Sequence, residues 1–163
     1  DEEKERKAAQ RLIDDYGTDV LTYHQNKHTV AYTADEAGVY SIGYNEAISD
    51  ISEKYLTATV WNWSELYYRI IREHLYTDTS TKRYWLGIDT GVVGLSDYSS
   101  LVTEDIRLAV EEARASIAMG NNIFYGTIYD NTGVLRCSED EMLSDATLFN
   151  NMDWYVDGVV IYE

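Results

Sequence analysis

The chain has 163 residues, of which 45% are hydrophobic, and its formal net charge is -16. This length and composition are typical of a folded globular chain and argue against disorder throughout. The negative charge disfavours nucleic acids and anionic lipid surfaces as partners, because both would repel the chain. One cysteine excludes an internal disulfide and any metal site built from several cysteines. No apolar run approaches the roughly 20 residues of a membrane-spanning helix.

The first 60 residues alternate between helix and strand patterns. "DEEKERKAAQRLI" predicts a helix that ends at Gly17, and "TDVLTYH" predicts a short buried strand. "KHTVAYTADEAG" predicts a second helix that ends at Gly38, and "VYSIGYN" predicts a second strand. A third strand follows from Tyr55 to Val60. This alternation predicts an α/β fold of βα units around a mostly parallel sheet.

Two amphipathic helices are predicted in the middle of the chain. The first runs from about Ser64, a candidate N-cap, to Tyr76, and the second follows Thr103 and ends at Gly120. Between them, three glycines interrupt "RYWLGIDTGVVGL", which predicts a pair of short strands or a strand and a bend rather than one long strand. Each helix is expected to carry an apolar stripe, formed by Leu66, Ile70 and Leu75 in the first and by Ile106, Val110, Ala113 and Ile117 in the second.

The last 45 residues have a different pattern. "NIFYGTIYDNTGVLRC" predicts a hairpin that turns at Asp130–Gly133, and the closing "GVVIY" predicts an apolar strand. We expect Trp85 and Trp154 to pack in the interior rather than bind a ligand.

Motifs for catalysis and metal binding are weak. The glycines of "GIDTGVVG" lie in a strand-like run without the Lys-Ser/Thr pair of a phosphate loop. His24 and His28 lack an evident third metal ligand, and Cys137 stands in an acidic setting that blunts a nucleophile. We therefore predict a chain that is not an enzyme and that has no catalytic residue, metal or cofactor.

Aromatic and amide side chains follow three predicted strands. "YHQN", "GYNE" and Trp-Asn-Trp come at the ends of the first, second and third strand, and ligands of open parallel sheets bind beyond these ends. Aromatic rings give stacking area and amides give paired donors and acceptors, which suits a flat heterocycle or a sugar. The alternative is that either tryptophan packs in the core. The candidate ligand-binding residues are His24, Gln25, Asn26, Asn45, Trp61, Asn62 and Trp63.

Several long stretches resemble one known family, the basic membrane protein group of type I periplasmic binding proteins. "ADEAGVYSIGYNEAISDISEKYLTATVWNW" is similar to its stretch from "EAGVYAIGY" to a "VWNW" box. "NNIFYGTIYDNTGVLR" resembles its "F-x-GPI-x-D-x-x-G" turn, and "LSDATLFNNMDWYVDGVV" resembles its ending. The resemblance covers nearly the whole chain.

The resemblance implies part of a type I periplasmic binding protein. Residues 1–60 would form a partial Rossmann-like C-terminal lobe, and residues 61–163 would form the crossing between lobes and C-terminal elements that return to the N-terminal lobe. Nothing resembles the family's N-terminal ligand motif, so we expect the N-terminal lobe to be absent from this chain. A start at Asp1 rather than Met also suggests a processed chain or a piece of a longer one.

Two residues depart from the family pattern. Thr127 replaces the usual proline of a turn, and Asn45 stands where nucleoside-binding members carry an aspartate for the ribose hydroxyls. An amide offers one neutral acceptor and a donor, so a free purine base or an unusual nucleoside fits better than an ordinary nucleoside. The resemblance implies that Trp61 or Trp63 stacks on the ring. It also implies hydrogen bonds from Asn45 and Asn62, and a rim formed by His24, Gln25 and Asn26.

The resemblance also implies a function. It suggests a non-catalytic solute-binding protein of an ABC-type uptake system, with a purine base, nucleoside or similar heterocycle as ligand and a permease as partner. The expected location is the extracellular face of the membrane or the periplasm, with a lipid anchor in an N-terminal segment outside this chain. Two alternatives are an extracellular ligand-sensing domain of a signalling protein and an acidic DNA-mimic inhibitor, the latter suggested by the charge and 15 tyrosines.

Overall fold

The structure, a computed structural model, describes residues 1–76 and 83–161. These fall into two compact units, Asp1–Ala118 and Met119–Glu163. The first unit contains α1 (Glu2–Tyr16), β1 (Val20–Thr22), α2 (Thr29–Ala37), β2 (Tyr40–Asn45), β3 (Tyr55–Trp61), α3 (Trp63–Tyr76), a 3₁₀ turn (Ile88–Thr90), β4 (Val93–Leu95) and α4 (Glu104–Ala118). The second contains β5 (Ile128–Tyr129), β6 (Leu135–Cys137) and α5 (Asp145–Asn150).

The first unit is built on a four-stranded sheet with the order β1-β2-β3-β4. The first three strands are parallel, and β4 runs antiparallel to β3. The register between β2 and β3 shifts once, after Ser41, so that Asn45 ends up opposite Val60. The prediction of an α/β fold with a mostly parallel sheet is confirmed. The carboxyl ends of β2 and β3 therefore lie at one edge of the sheet.

The core of the first unit lies between this sheet and the helices α1 and α2, which pack on each other. Glycines in the left-handed conformation end both helices as predicted: φ is 64° at Gly17 and 73° at Gly38. Parallel strands covered by helices bury small and apolar side chains. The buried members of this core are Ala9, Leu21, Tyr23, Val30, Ala31, Ala34, Tyr55 and Ala58.

Tyr55 packs over the neighbouring strand at Gly43. A Cβ atom built on Gly43 would lie 1.7 Å from the hydroxyl of Tyr55 and 2.5 Å from Cζ of its ring. Only a residue without a side chain leaves room for the tyrosine. The hydroxyl continues past the strand and donates a hydrogen bond to the carbonyl of Glu46 at 3.3 Å.

The helix α3 begins one residue earlier than the sequence predicts. The carbonyl of Asn62 accepts the amide of Leu66, which makes Asn62 the residue at the helix start. Ser64 was the predicted N-cap, and this is wrong, since Ser64 already lies inside α3 and its hydroxyl donates to Oδ1 of Asn62 at 2.6 Å. The position of Thr103 directly before α4 is confirmed, and its carbonyl accepts the amide of Arg107 at 3.0 Å.

The two predicted apolar stripes are exposed or only partly buried. Neither α3 nor α4 contains a buried residue in the described part of the chain, and Leu75, Ile106 and Ile117 are exposed. Helical periodicity reports one apolar face, but burial needs a surface opposite that face. No helix among the described residues is long and apolar enough to cross a lipid bilayer.

The second unit contains the predicted hairpin, in which β5 and β6 are antiparallel. The turn is held by Asp130, whose side chain is 1% exposed. Its Oδ1 accepts the amides of Thr132 at 2.8 Å and Val134 at 3.0 Å, and Arg136 donates to Oδ2 at 2.8 Å. These hydrogen bonds, with that of the Thr132 hydroxyl first, hold the pKa of Asp130 well below its usual range.

"RYWLGIDTGVVGL" contains one short strand, β4, and a 3₁₀ turn, which agrees with the strand-and-bend alternative of the prediction. Two further predictions fail outside the helices. Trp85 lies in an irregular stretch and is 58% exposed, so it is not an interior residue. Trp154 is partly buried, with the Arg136 guanidinium 5.3 Å from its ring centre. The closing "GVVIY" forms no strand over 158–161, and Tyr162 lies outside the described residues.

We expect Gly43→Ala to destabilise the first unit by about 1–3 kcal/mol, because the added methyl group must displace the Tyr55 ring from its packed position. Urea denaturation followed by circular dichroism measures this loss. Gly94→Ala is the matched control, because Gly94 also lies in a strand of this sheet and a Cβ atom added there would have no atom within 4 Å. Equal unfolding midpoints for the two variants would contradict the contact.

We expect Asp130→Asn to destabilise the hairpin unit at neutral pH. The pKa of the native carboxyl group is lowered, so its stabilising effect is complete above the unfolded value of about 4 and is lost as the pH falls below it. The temperature at which the Thr132 and Val134 amide signals disappear from NMR spectra measures the effect. The difference in this temperature between the variant and wild type should shrink in acid. Asp140→Asn, at an exposed position in the same unit, should leave these signals unchanged.

Candidate functional site

The carboxyl ends of β2 and β3 border a cavity of about 320 Å³. The pairing of Asn45 with Val60 brings the two strand ends side by side, and the Trp-Asn-Trp triplet follows directly. Three of the predicted site residues, Asn45, Trp61 and Trp63, thus line one cavity. The complete lining is Asn45, Glu46, Ala47, Val60, Trp61 and Trp63.

The two tryptophans form an exposed aromatic pair. Trp61 is 36% exposed and Trp63 is 50% exposed, so neither packs in the core. Their ring centres are 6.1 Å apart, and Trp63 continues into a stacked contact with Tyr67 at 6.2 Å. Both tryptophans also line a smaller apolar cavity of about 130 Å³. Its other lining residues are Leu66, Tyr84, Leu86 and Val92.

Asn62 serves the junction between β3 and α3. Its backbone N–H donates to the carbonyl of Val92 at 2.7 Å, and its side-chain oxygen accepts a hydrogen bond from the hydroxyl of Ser64 at 2.6 Å. These bonds tie the start of α3 to the chain that leads into β4. Asn62 does not line the 320 Å³ cavity, although its two neighbours do.

Asn45 has an unusual backbone conformation. Its φ of 77° is the only positive value for a residue other than glycine within the described residues. Asparagine tolerates the left-handed region better than most residues, because its short polar side chain can bond locally. This conformation ends β2 and turns the chain, which places Glu46 and Ala47 along the cavity with Asn45.

The remaining predicted site residues lie on the loop between β1 and α2. His24 contacts Tyr44, with ring centres 4.0 Å apart, and Gln25 and Asn26 are exposed. None of the three is among the residues that line the cavity beside Trp61. Their assignment to the rim of the site stays a prediction.

The structure adds one polar group that the sequence did not indicate. His28 lies between the buried hydroxyl of Tyr23, 3.0 Å from its Nδ1, and the carboxylate of Glu46, 3.2 Å from its Nε2. Burial raises the pKa of Tyr23 and of Tyr55, so both hydroxyls keep their protons and can donate. The one sequence signal for Glu46 is its position next to Asn45. The contact of Glu46 with His28 joins two elements that are distant in the sequence.

Metal binding has no support in this region. Within residues 1–76 and 83–161, no group of three or more His, Cys, Asp or Glu side chains could hold a metal ion. The site therefore offers aromatic faces, one amide and one carboxylate, which can bind a ligand noncovalently by stacking and hydrogen bonding.

Two curated proteins are similar to most of the chain. A putative ABC transporter glucose-binding protein, TsgA13 of Haloferax volcanii, is 29% identical over 94% of this chain and 37% of its own length. A purine-binding protein of Brucella abortus is 29% identical over 96% of this chain and 44% of its own length. The chain thus spans less than half the length of each relative.

A solved structure shows the same fold. The crystal structure of a transcriptional activator of the comK gene from Bacillus halodurans superposes with a TM-score of 0.67. The match covers 75% of this chain and 44% of that one, at 22% sequence identity. Residues 1–127 also match the family model described as ABC transporter substrate-binding protein PnrA-like. The chain therefore belongs to the Bmp family of PnrA-like ABC transporter substrate-binding proteins.

Proposed function

We propose that this chain supplies one wall of a site for a purine base or a similar flat heterocycle in an ABC-type uptake receptor. The tryptophan pair beside Asn45 carries this proposal. A cavity of about 320 Å³ lies at the lower end of the range of about 300–1,000 Å³ for small-molecule sites. Its position beyond the carboxyl ends of parallel strands is where open α/β sheets bind ligands.

The aromatic residues favour a planar ligand. An exposed tryptophan face offers stacking area to any flat ring, and such stacking contributes about 1–3 kcal/mol per base. The tilt of 36° between Trp61 and Trp63 leaves the faces divergent, so a single ring would stack on one tryptophan and touch the edge of the other.

The amide of Asn45 favours a purine within this class. An asparagine side chain can donate to N7 and accept from N6 of adenine at the same time, because one amide carries both groups. An aspartate carboxylate can accept charge-assisted hydrogen bonds from two ribose hydroxyls, and a neutral amide cannot. A free base is therefore the preferred ligand, ahead of a nucleoside.

The family and its relatives support a role in uptake. Members are ABC transporter substrate-binding proteins, and the Brucella abortus relative is a purine-binding protein. We propose an ABC permease as the partner, a place outside the cell membrane or in the periplasm, a lipid anchor on an N-terminal segment outside this chain, and no catalytic activity. The glucose-binding name of the Haloferax volcanii relative makes a sugar the competing ligand class.

We expect adenine, guanine or hypoxanthine to bind this chain more tightly than adenosine, and glucose to bind least. Thermal shift and NMR titration with these five compounds measure the order. A ligand at about 100 times its dissociation constant should add about 2.7 kcal/mol to stability. Binding of glucose without any binding of the purines would overturn the proposed ligand class.

Replacement of the tryptophans tests the stacking. We expect Trp61→Ala or Trp63→Ala to weaken adenine binding by about 1–3 kcal/mol, with a small change in stability because both rings are exposed. Isothermal titration and thermal denaturation separate the two effects. Trp85→Ala is the matched control, since Trp85 is 58% exposed and lies outside the cavity. If it weakens binding equally, the cavity is not the site.

A further inference from the structure

Glu46 is held at two points, directly after the strained backbone of Asn45. Its carboxylate contacts Nε2 of His28 at 3.2 Å, and its carbonyl accepts the hydroxyl of Tyr55 at 3.3 Å. His28 is in turn anchored through Nδ1 to the hydroxyl of Tyr23 at 3.0 Å. The loop after β2 is thus tied to β1, to α2 and to β3. We call Tyr23, His28, Glu46 and Tyr55 the polar brace.

The proton positions in the polar brace follow from its acceptors. The carboxylate of Glu46 accepts only, so Nε2 of His28 carries a proton and donates to it. The hydroxyl of Tyr23 keeps its proton, because burial raises its pKa, and it lies 3.0 Å from Nδ1 as the hydrogen-bond partner of that nitrogen. One histidine therefore links a buried donor to an exposed acceptor, with both of its ring nitrogens paired.

One member of the polar brace, Glu46, lines the 320 Å³ cavity. Tyr23, His28 and Tyr55 are not among its lining residues, and His28 is partly buried. A left-handed asparagine persists where surrounding contacts hold it, because this conformation is less favourable than an extended one. The polar brace fixes Glu46, the residue directly after Asn45.

We propose that His28 is a positioning residue that acts through Glu46 to hold the amide of Asn45 toward the cavity. This inference rests on the proposed function only for its consequence, namely that loss of His28 weakens ligand binding although His28 does not line the cavity. The position of Asn45 in the free protein depends on the polar brace and not on a ligand.

The first test needs no ligand. In NMR spectra of the 163-residue chain, His28→Ala and Tyr23→Phe should shift and broaden the backbone and side-chain amide signals of Asn45. Tyr32→Phe is the matched control, because it removes a tyrosine hydroxyl that donates to Asp50 at 3.3 Å. Asn45 signals that match wild type in both test variants would overturn the inference. Tyr23→Phe keeps this test valid if His28→Ala does not fold.

The second test uses adenine and a double-mutant cycle. His28→Ala should weaken adenine binding about fivefold, the size expected for one hydrogen bond, and should add nothing to the loss in Asn45→Ala. His28→Gln should recover part of the affinity, because its amide can still donate to Glu46. Independent, additive losses would overturn the inference. If the wild-type chain binds no purine, the proposed function fails. The NMR signals of Asn45 in the first test then decide whether His28 positions Asn45.

Discussion

The contact of Tyr55 with Gly43 links the core of the sheet to the edge that borders the candidate site. The ring of Tyr55 occupies the space that a side chain at position 43 would need, and the tyrosine is buried among the residues between the sheet and its helices. The hydroxyl at the far end of the same side chain bonds to the carbonyl of Glu46. One residue therefore sets both the packing of β2 against β3 and the path of the chain as it leaves β2.

The candidate site depends on that path. The register shift after Ser41 aligns Asn45 with Val60, so the left-handed asparagine and the two tryptophans come to the same cavity. The aromatic surface does not stop at the cavity, since Trp63 stacks on Tyr67 along α3. The core cluster lies within the first 60 residues, and the tryptophans of the candidate site, which follow it, are exposed.

Much of the first unit was predictable because local signals determine it. Glycine after an apolar periodic stretch ends a helix in the left-handed conformation, and Gly17 and Gly38 do so where expected. The helices α3 and α4 form where their apolar stripes predicted them, but the stripes are exposed or only partly buried. Periodicity identifies an apolar face, but the element that would cover it is a property of the whole fold. The prediction that Trp85 packs in the interior is wrong for a related reason. Trp85 lies in a strand-like sequence pattern, but in the fold this stretch is irregular and the tryptophan is exposed.

The sequence by itself determined the order of helices and strands in the first unit, the α/β class and the resemblance to the family, because hydrophobic periodicity, glycine caps and long matching stretches are local in the chain. It also placed Asn45, Trp61 and Trp63 at strand ends, which meet at one edge of any parallel sheet. Only the tertiary structure decided that His24, Gln25, Asn26 and Asn62 lie outside the cavity lining and that His28 bridges Tyr23 and Glu46. Those contacts join residues 5 and 18 positions apart, through a register shift and a turn that no local pattern specifies.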